Sequence, residues 1–346
     1  MEKYRLGRTG LMVSRVGIGG IPLTRPTVDE VVELVNRALD LGVNFIDTAN
    51  GYSTSEERIG LAIEGRREEV ILATKSGAGD RETAERHLDL SLERLRTDYI
   101  DLWQFHCIMS MEEYEAIMGP GGAMEVAREA LADGRVRHIG FSSHHLGTAL
   151  KLVATDEFET VQFPFNFISN ESAQDLVPLA KKHDVGFIAM KPFAGGMIKE
   201  ARHAIKYLLQ FDNVLPDPGI EKISDIEGII DVVNGSWELS AEERSAMEEF
   251  RSTTGTRFCR QCEYCMPCPQ GVHIHRMTYL QRLFELWPPE RYFSWSLVVD
   301  AVESAPNCTK CGECETKCPY LLPIREMIEE NLAFHEEKAL EYSGSG

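Results

Sequence analysis

Residues 44–60 read NFIDTANGYSTSEERIG, followed by VILATKS at 70–76 and IDLWQFH at 100–106. Asp47 ends the first apolar run and Tyr52 follows it by five residues. Lys75 comes at the end of the second run and His106 closes the third. Each run has the Val, Ile, Leu and Phe content of a strand buried on both faces. In a parallel barrel the C-terminal strand ends converge on one rim, so residues ending successive strands can meet in space. Lys75 is the most telling of the four, because an apolar strand ending in Thr-Lys buries a charge at large cost unless something answers it.

Working outward, the same alternation continues along most of the chain. Strands are expected at Arg15–Ile21, Phe45–Ala49, Val70–Ser76, Ile100–His106, His138–Ser143, Thr160–Asn166, Gly186–Pro192 and Asn213–Pro216. Amphipathic stretches lie between them. In the first, Thr27 and Glu30 have capping-box spacing, and Val28, Val31, Val32, Val35, Ala38 and Leu39 share one helical face. Helices are expected likewise at Ser55–Glu64, Arg81–Leu95, Ala123–Asp133, Leu146–Ala154, Ala173–His183, Lys199–Phe211 and Ser224–Asn234. Eight alternations over roughly 240 residues predict a (β/α)8 TIM barrel. A doubly wound sheet would carry a Gly-rich dinucleotide turn after its first strand, whereas GIGGIP at 17–22 puts Pro22 there. Pro216 and Pro218 interrupt the eighth strand, where a ladder N–H is normally needed.

A helix started by Ser240 and Glu243 runs to about Arg251, and STTGT at 252–256 reads as a linker. The expected domains are therefore 1–252 and 253–346, with helices in the second at Met277–Leu286, Leu297–Glu303 and Arg325–Tyr342. The tail from Ser343 to Gly346 reads as a flexible end. The 346 residues carry 36 basic and 55 acidic side chains, a net charge of −19. That balance disfavours nucleic acid or an anionic membrane surface as partner. No run of about 18 apolar residues suggests a membrane span, and MEKYRLGRTG has no signal-peptide core. A cytoplasmic location is the resulting expectation.

Of nine cysteines, Cys107 stands alone and eight lie between Cys259 and Cys318. They form Cys259-x2-Cys262-x2-Cys265-x2-Cys268-Pro269 and Cys308-x2-Cys311-x2-Cys314-x3-Cys318-Pro319. The second has bacterial-ferredoxin spacing, in which three close thiolates hold one 4Fe–4S cube and the fourth reaches the other. Two clusters are expected, one on Cys259, Cys262, Cys265 and Cys318, the other on Cys308, Cys311, Cys314 and Cys268. Structural zinc is the competing reading, since Cys-x2-Cys pairs are common zinc ligands. Two pairs would need four cysteines rather than two runs of four, each trailed by Pro.

The Asp47, Tyr52, Lys75 and His106 pattern resembles the aldo-keto reductases. The segment CEYCMPCPQGV at 262–272 resembles the ferredoxin-like C-terminal extension on one branch of them. That resemblance implies a nicotinamide dinucleotide, NAD(P)H, across the barrel rim, delivering hydride to a carbonyl carbon. Tyr52 matches the proton donor, Lys75 the residue that lowers its pKa, Asp47 the partner of that lysine, and His106 the group that orients substrate. A phenol near pKa 10 needs such an ammonium to work as an acid at neutral pH. The resemblance also assigns Ser142, Ser143 and Gln162 to the nicotinamide carboxamide, and Met190 to the place of a stacking aromatic. Gly20, after the first strand, and Lys191, before Gly195–Gly196, are further cofactor contacts. Ser143 departs from the family's Asn. The adenine end is PGIEKISDIEG at 218–228, where Lys222 is the only base among three acids, which argues for NAD.

The expected function is an oxidoreductase acting on an aldehyde, ketone or alcohol, with a redox partner protein as a further expectation. A second reading, from another class, is an electron-transfer or redox-sensing protein whose clusters do the work. A third makes the clusters purely structural. Cys107 is expected to be a packed thiol.

Overall fold

The computed structural model describes residues 1–343; Gly344, Ser345 and Gly346 of the expected flexible tail lie outside the described residues. The chain divides into two compact units, Met1–Met247 and a second beginning at Glu248. The division falls within the helix Ala241–Thr253. The expected linker at 252–256 is not extended. Ser252 Oγ and Thr253 Oγ1 donate back to Glu249 O at 2.9 and 2.8 Å, and a 3₁₀ turn follows at Thr254–Arg257.

The first unit opens with a hairpin, β1 (Lys3–Arg5) against β2 (Met12–Ser14), where the sequence reading placed only an irregular lead-in. Eight parallel strands follow: β3 (Ile18–Gly19), β4 (Phe45–Asp47), β5 (Ile71–Ser76), β6 (Ile100–Phe105), β7 (Val136–Ser142), β8 (Thr160–Pro164), β9 (Gly186–Met190) and β10 (Val214–Asp217). Each pairs with its neighbours in sequence order. The ends meet where Gly17 and Gly19 N–H donate to Pro216 and Pro218 O, both at 2.9 Å. A residue's N–H and C=O point to the same side of a strand. The N–H groups that Pro216 and Pro218 lack therefore face this seam, and β10 keeps its ladder to β9 through Leu215 and Asp217. That is why two prolines fit a barrel strand.

Most helices fall where the periodicity puts them. Val28–Asp40 starts with the full Thr27–Glu30 capping box, and Arg81–Leu95 and Ala123–Asp133 have the expected bounds. Leu176–Lys182 begins later than expected, because Pro178 fits only the first turn of a helix. The short helix Met111–Met118, capped by Ser110, was not expected. No helix among the described residues is long and apolar enough to cross a membrane.

Inside the barrel, side chains follow the period of two along each strand. Phe45, Ala73, Leu102, Ile188 and Leu215 form a buried apolar layer with Leu6 and Val13 of the hairpin. Two residues further along the same strands stand Asp47, Lys75, Gln104, Met190 and Asp217. A polar layer thus sits directly above an apolar floor.

The second unit contains no strand among its described residues. Its helices Ile274–Met277, Leu280–Leu286, Pro289–Ser294, Ser296–Ser304, Glu313–Lys317 and Ile324–Ser343 surround Met277, Leu280, Tyr292, Val298 and Ala301, all fully buried.

The hairpin's Leu6 is 1% exposed and packs so closely on Gly186 that a Cβ there would lie 2.7 Å from Leu6 Cγ. Leu6→Ala is expected to destabilise the barrel by about 3 kcal/mol. Urea unfolding followed by barrel tryptophan fluorescence should show a lower midpoint. An unchanged midpoint would mean that the hairpin does not share in the barrel's cooperative unfolding.

Candidate active site and cysteine clusters

Lys75 and Asp47 are 1% and 3% exposed. Lys75 Nζ lies 2.5 Å from Asp47 Oδ2 and 2.6 Å from Thr48 O. The other lone pairs of Asp47 are also engaged: Gln104 Nε2 donates to Oδ1 at 3.1 Å, and Gln162 Nε2 to Oδ2 at 3.1 Å. The amide nitrogen of Gln162 also donates to Asp217 Oδ2 at 3.2 Å. Gln104 and Asp217 were missed in the sequence. The signal was present, since both share the parity of Asp47 and Lys75 at the ends of apolar runs. In Asp217 it was masked by the turn-like Pro-Asp-Pro-Gly.

Tyr52 lies on the loop after β4, which is tied down at several points. Asn50 N–H donates to Lys75 O, Tyr52 N–H to Ala49 O and Ser55 N–H to Tyr52 O, each at 2.9 Å. Ser55 Oγ donates to Gly20 O at 2.8 Å, fixing this loop to the turn after β3. A Cβ on Gly20 would come within 2.7 Å of both Asp47 O and Ser55 Oγ, so this close approach requires glycine. Gly20 therefore binds the rim together. Lys75 Nζ sits 4.9 Å from the centre of the Tyr52 ring. The His106 ring meets Tyr52 edge to face at 5.6 Å between centroids, and the backbone N–H of His106 donates to Ser76 O at 2.8 Å. The structure thus brings all four residues of the expected tetrad together.

Their protonation differs in one respect from the sequence expectation. Packing around the Tyr52 phenol raises its pKa to about 12; Lys75 pulls it down, while Asp47, Asp217 and Cys107 add to the rise. Lys75 lowers the value from what burial alone would give, but not below that of a free phenol. Burial works against the Lys75 ammonium too, yet Asp47, Tyr52 and Asp217 outweigh it and hold its pKa above the usual lysine value. Burial, helped by Lys75, pushes His106 down to about 3. Near neutral pH the site therefore contains a phenol, an ammonium and a neutral imidazole.

The cofactor candidates fall into three places. Gln162 is buried in the polar layer, with Oε1 lacking a hydrogen-bond partner among the described residues. Ser142 and Ser143 are buried at the end of β7. Ser142 Oγ accepts from Cys107 N–H at 2.8 Å, and Ser143 Oγ donates to Ile108 O at 2.6 Å. Ser143, the departure from Asn, thus serves the loop after β6. Met190 ends β9, half-buried, and Lys191 follows with a left-handed backbone, as do Ala194, Gly195 and Gly196. Lys222 is exposed at the start of the helix Ile223–Asn234. The acids around it are engaged: Asp225 accepts from Glu221 and Lys222 N–H at 3.1 and 3.0 Å, Glu227 pairs with Arg37 at 2.7 Å, and Glu221 pairs with Arg25. Cys107 is exposed rather than packed.

In the second unit, Cys259, Cys262, Cys265 and Cys318 line one cavity, and Cys268, Cys308, Cys311 and Cys314, with Cys265, line another. The two motifs wind alike. Gln261 and Glu263 have left-handed backbones, as do Lys310 and Gly312, two and four residues after the first cysteine of each motif. For three non-glycine residues this conformation costs about 1 kcal/mol or more each. Gln261 Nε2 also donates to Cys259 Sγ at 3.3 Å and to His275 O at 2.7 Å. Burial pushes the thiols of Cys262 and Cys265 up to about 11 and about 12. Four or more cysteines lining each of two cavities suit a group that takes them as thiolates, binding that would offset the raised pKa values.

Comparison with known proteins gives two family matches. Residues 15–214 match the aldo/keto reductase family, and residues 258–323 match a 4Fe-4S dicluster domain. Among curated proteins, the chain is 32% identical over 228 residues to the uncharacterized oxidoreductase YrpG of Bacillus subtilis, covering 57% of this chain and 68% of that one. It is 30% identical over 220 residues to the aldo-keto reductase YhdN of the same organism, covering 57% of this chain and 64% of that one. Among solved structures, the holo form of the aldo-keto reductase AKR11C1 from Bacillus halodurans superposes with a TM-score of 0.63 at 24% identity, covering 72% of this chain and 96% of that one. An aldo/keto reductase from Klebsiella pneumoniae in complex with NADP and acetate gives 0.60 at 22%, covering 72% and 95%.

Two filled cavities would give anaerobically purified protein about eight irons and eight acid-labile sulfides per chain. Metal and sulfide analysis of one sample checks this; zinc without sulfide would contradict the ligand grouping.

Proposed function

The chain belongs to the aldo/keto reductase family, and from that premise we propose that it reduces an aldehyde or ketone with NAD(P)H at the barrel rim. The observation that carries this reading is the buried Lys75–Asp47 pair beneath the Tyr52 phenol, with a neutral His106 beside it. The dinucleotide, when bound, supplies the hydride. The rest is the work of side chains. His106 donates a ring N–H to the carbonyl oxygen and so orients the substrate. As that oxygen becomes an alkoxide, the Tyr52 phenol gives it a proton, downhill even from a pKa of about 12. Lys75 stabilises the phenolate left behind, and Asp47 with Thr48 O holds the ammonium in place. Gln162 Oε1 is the acceptor offered to the carboxamide. In alcohol oxidation the same groups run in reverse.

The reading extends to two 4Fe–4S clusters, one on Cys259, Cys262, Cys265 and Cys318, the other on Cys268, Cys308, Cys311 and Cys314. Such clusters exchange single electrons, for which a redox partner protein is the natural recipient. Eight cysteines kept as thiolate ligands fit a reducing, cytoplasmic setting. The acids after β10 are each paired with a base or hydrogen-bonded to backbone N–H groups. They therefore neither demand NAD nor exclude a 2′-phosphate, and the sequence argument for NAD loses its force. NAD and NADP are expected to bind within about tenfold of each other in a fluorescence titration. A preference of a hundredfold either way would show that other residues read the ribose.

Tyr52→Phe should lower carbonyl reduction by at least ~100-fold, with nucleotide affinity and iron content unchanged. If the clusters were the working part and the barrel only a platform, this change would be silent and Cys311→Ala would abolish function. Full reductase activity in Tyr52→Phe, at matched iron content, would overturn the site.

The wild-type pH profile offers a further check. His106 and Tyr52 titrate near about 3 and about 12, so neither changes charge across the neutral range. Reduction should show no inflection from either between about pH 6 and 9. An inflection in that window that disappears in Tyr52→Phe would contradict the assignment. His106 also affects stability. Its folded pKa lies below the unfolded value, so the associated stability is complete above about pH 6.5 and is lost as pH falls towards 3.

A further inference from the structure

Asp47 and Asp217 are two carboxyl groups buried together at the top of the barrel, 3% and 4% exposed, and one ammonium, Lys75 on β5, shares their layer. That ammonium is committed to Asp47 Oδ2 and Thr48 O at 2.5 and 2.6 Å. Asp217 Oδ2 accepts from Gln162 Nε2 at 3.2 Å, and the same nitrogen donates to Asp47 Oδ2 at 3.1 Å, so the two carboxyl groups meet at one shared donor. Its Oδ1 has no hydrogen-bond partner among the described residues. From β3 it meets only backbone: a Cβ on Gly17 would lie 3.3 Å from Asp217 Oδ1, and one on Gly19 would lie 3.4 Å from Oδ2. From β9 its register neighbour is Met190. Tyr52 and His106, on the loops after β4 and β6, are neutral. No second cation therefore faces Asp217, and a carboxylate there would place a second negative charge against Asp47 with one hydrogen bond to support it. Two carboxyl groups can hydrogen-bond each other only if one carries a proton.

We infer that Asp217 is held as a neutral carboxylic acid donating a hydrogen bond to Asp47, a positioning residue that leaves the Lys75–Asp47 pair with no net charge. Burial and the adjacent Asp47 both push the Asp217 carboxyl well above the ordinary carboxylate range, in keeping with this arrangement. The consequence for turnover rests on the reductase reading above. A second carboxylate would hold Lys75 more tightly and disfavour the Tyr52 phenolate, making the phenol a weaker acid. The proton on Asp217 prevents this without adding another cation, and Gln162 ties the acid to the edge of the nicotinamide subsite.

The test uses the full-length protein with 13C-labelled aspartate. Near neutral pH its infrared spectrum should contain a protonated-carboxyl band that shifts with the label and is lost in Asp217→Asn. Asn supplies the same neutral donor, so Asp217→Asn should keep kcat within about threefold and the pH–rate profile within about half a unit. Asp217→Leu removes the donor and should cost about tenfold or more in kcat. The absence of a label-sensitive band would overturn the inference, as would a shift of a full unit in the Asp217→Asn profile. If Asp217→Asn fails to fold, the wild-type band alone decides. If the protein turns over no carbonyl, the reductase reading fails while the infrared result still judges the protonation of Asp217.

Discussion

An ammonium 1% exposed inside a barrel cannot remain charged without compensation, and Lys75 organises much of the rim on that account. Removing an ion pair from water costs several kcal/mol per ion, recovered only when geometry and remaining hydrogen bonds are good. The barrel meets this condition from four other strands. Asp47 comes from β4, Gln104 from β6, Gln162 from β8 and Asp217 from β10, and Thr48 O adds a carbonyl at 2.6 Å. These groups converge because a parallel barrel points every second side chain inward and aligns strand ends. The apolar layer of Phe45, Ala73, Leu102, Ile188 and Leu215 beneath keeps water from below, and the β1–β2 hairpin closes that end. A charge held in such surroundings acts on the Tyr52 ring 4.9 Å away with little screening.

How far the sequence could be read follows from the same physics. Strands buried on both faces announce themselves as continuous apolar runs, and all eight barrel strands were found that way. The run at 15–21 was shortened to Ile18–Gly19, because Pro22 and the 3₁₀ turn Ile21–Thr24 end it early. The hairpin escaped notice because its strands are three residues each, too short for a periodicity to show. The tetrad was legible because charged residues ending apolar runs are conspicuous. Gln104 was not, since an uncharged amide two residues before His106 looks like an ordinary polar interruption. Ser142 and Ser143 were placed correctly at the rim, but their hydroxyls turn out to be occupied by the Cys107–Ile108 backbone. Side-chain partners of this kind come from loops distant in sequence, which local patterns do not report.

In the second unit, spacing carried nearly all the information and hydrophobic pattern little. Its helices are short, and its core is finished by the cysteines themselves, with Cys318 buried among Val272, Ile274 and Leu322. The repeated left-handed backbone at Gln261, Glu263, Lys310 and Gly312 explains how so short a loop can turn three cysteines inward. Local strain of this kind persists where a bound group offsets it. The two units therefore rest on different principles. The barrel uses a hydrophobic floor to support a small polar constellation, and the cysteine unit uses its ligands as part of its core.

A single-turnover reaction with reduced dinucleotide deuterated at the transferring position tests most directly whether the barrel does the chemistry. Product analysis by mass spectrometry would be paired with electron paramagnetic resonance of the clusters on the same sample. The account predicts one deuterium on the carbinol carbon of the alcohol, with the clusters in the oxidation state in which they began. An alcohol formed without the label, with electrons gained or lost by the clusters, would contradict it and move the chemistry to the cysteine unit.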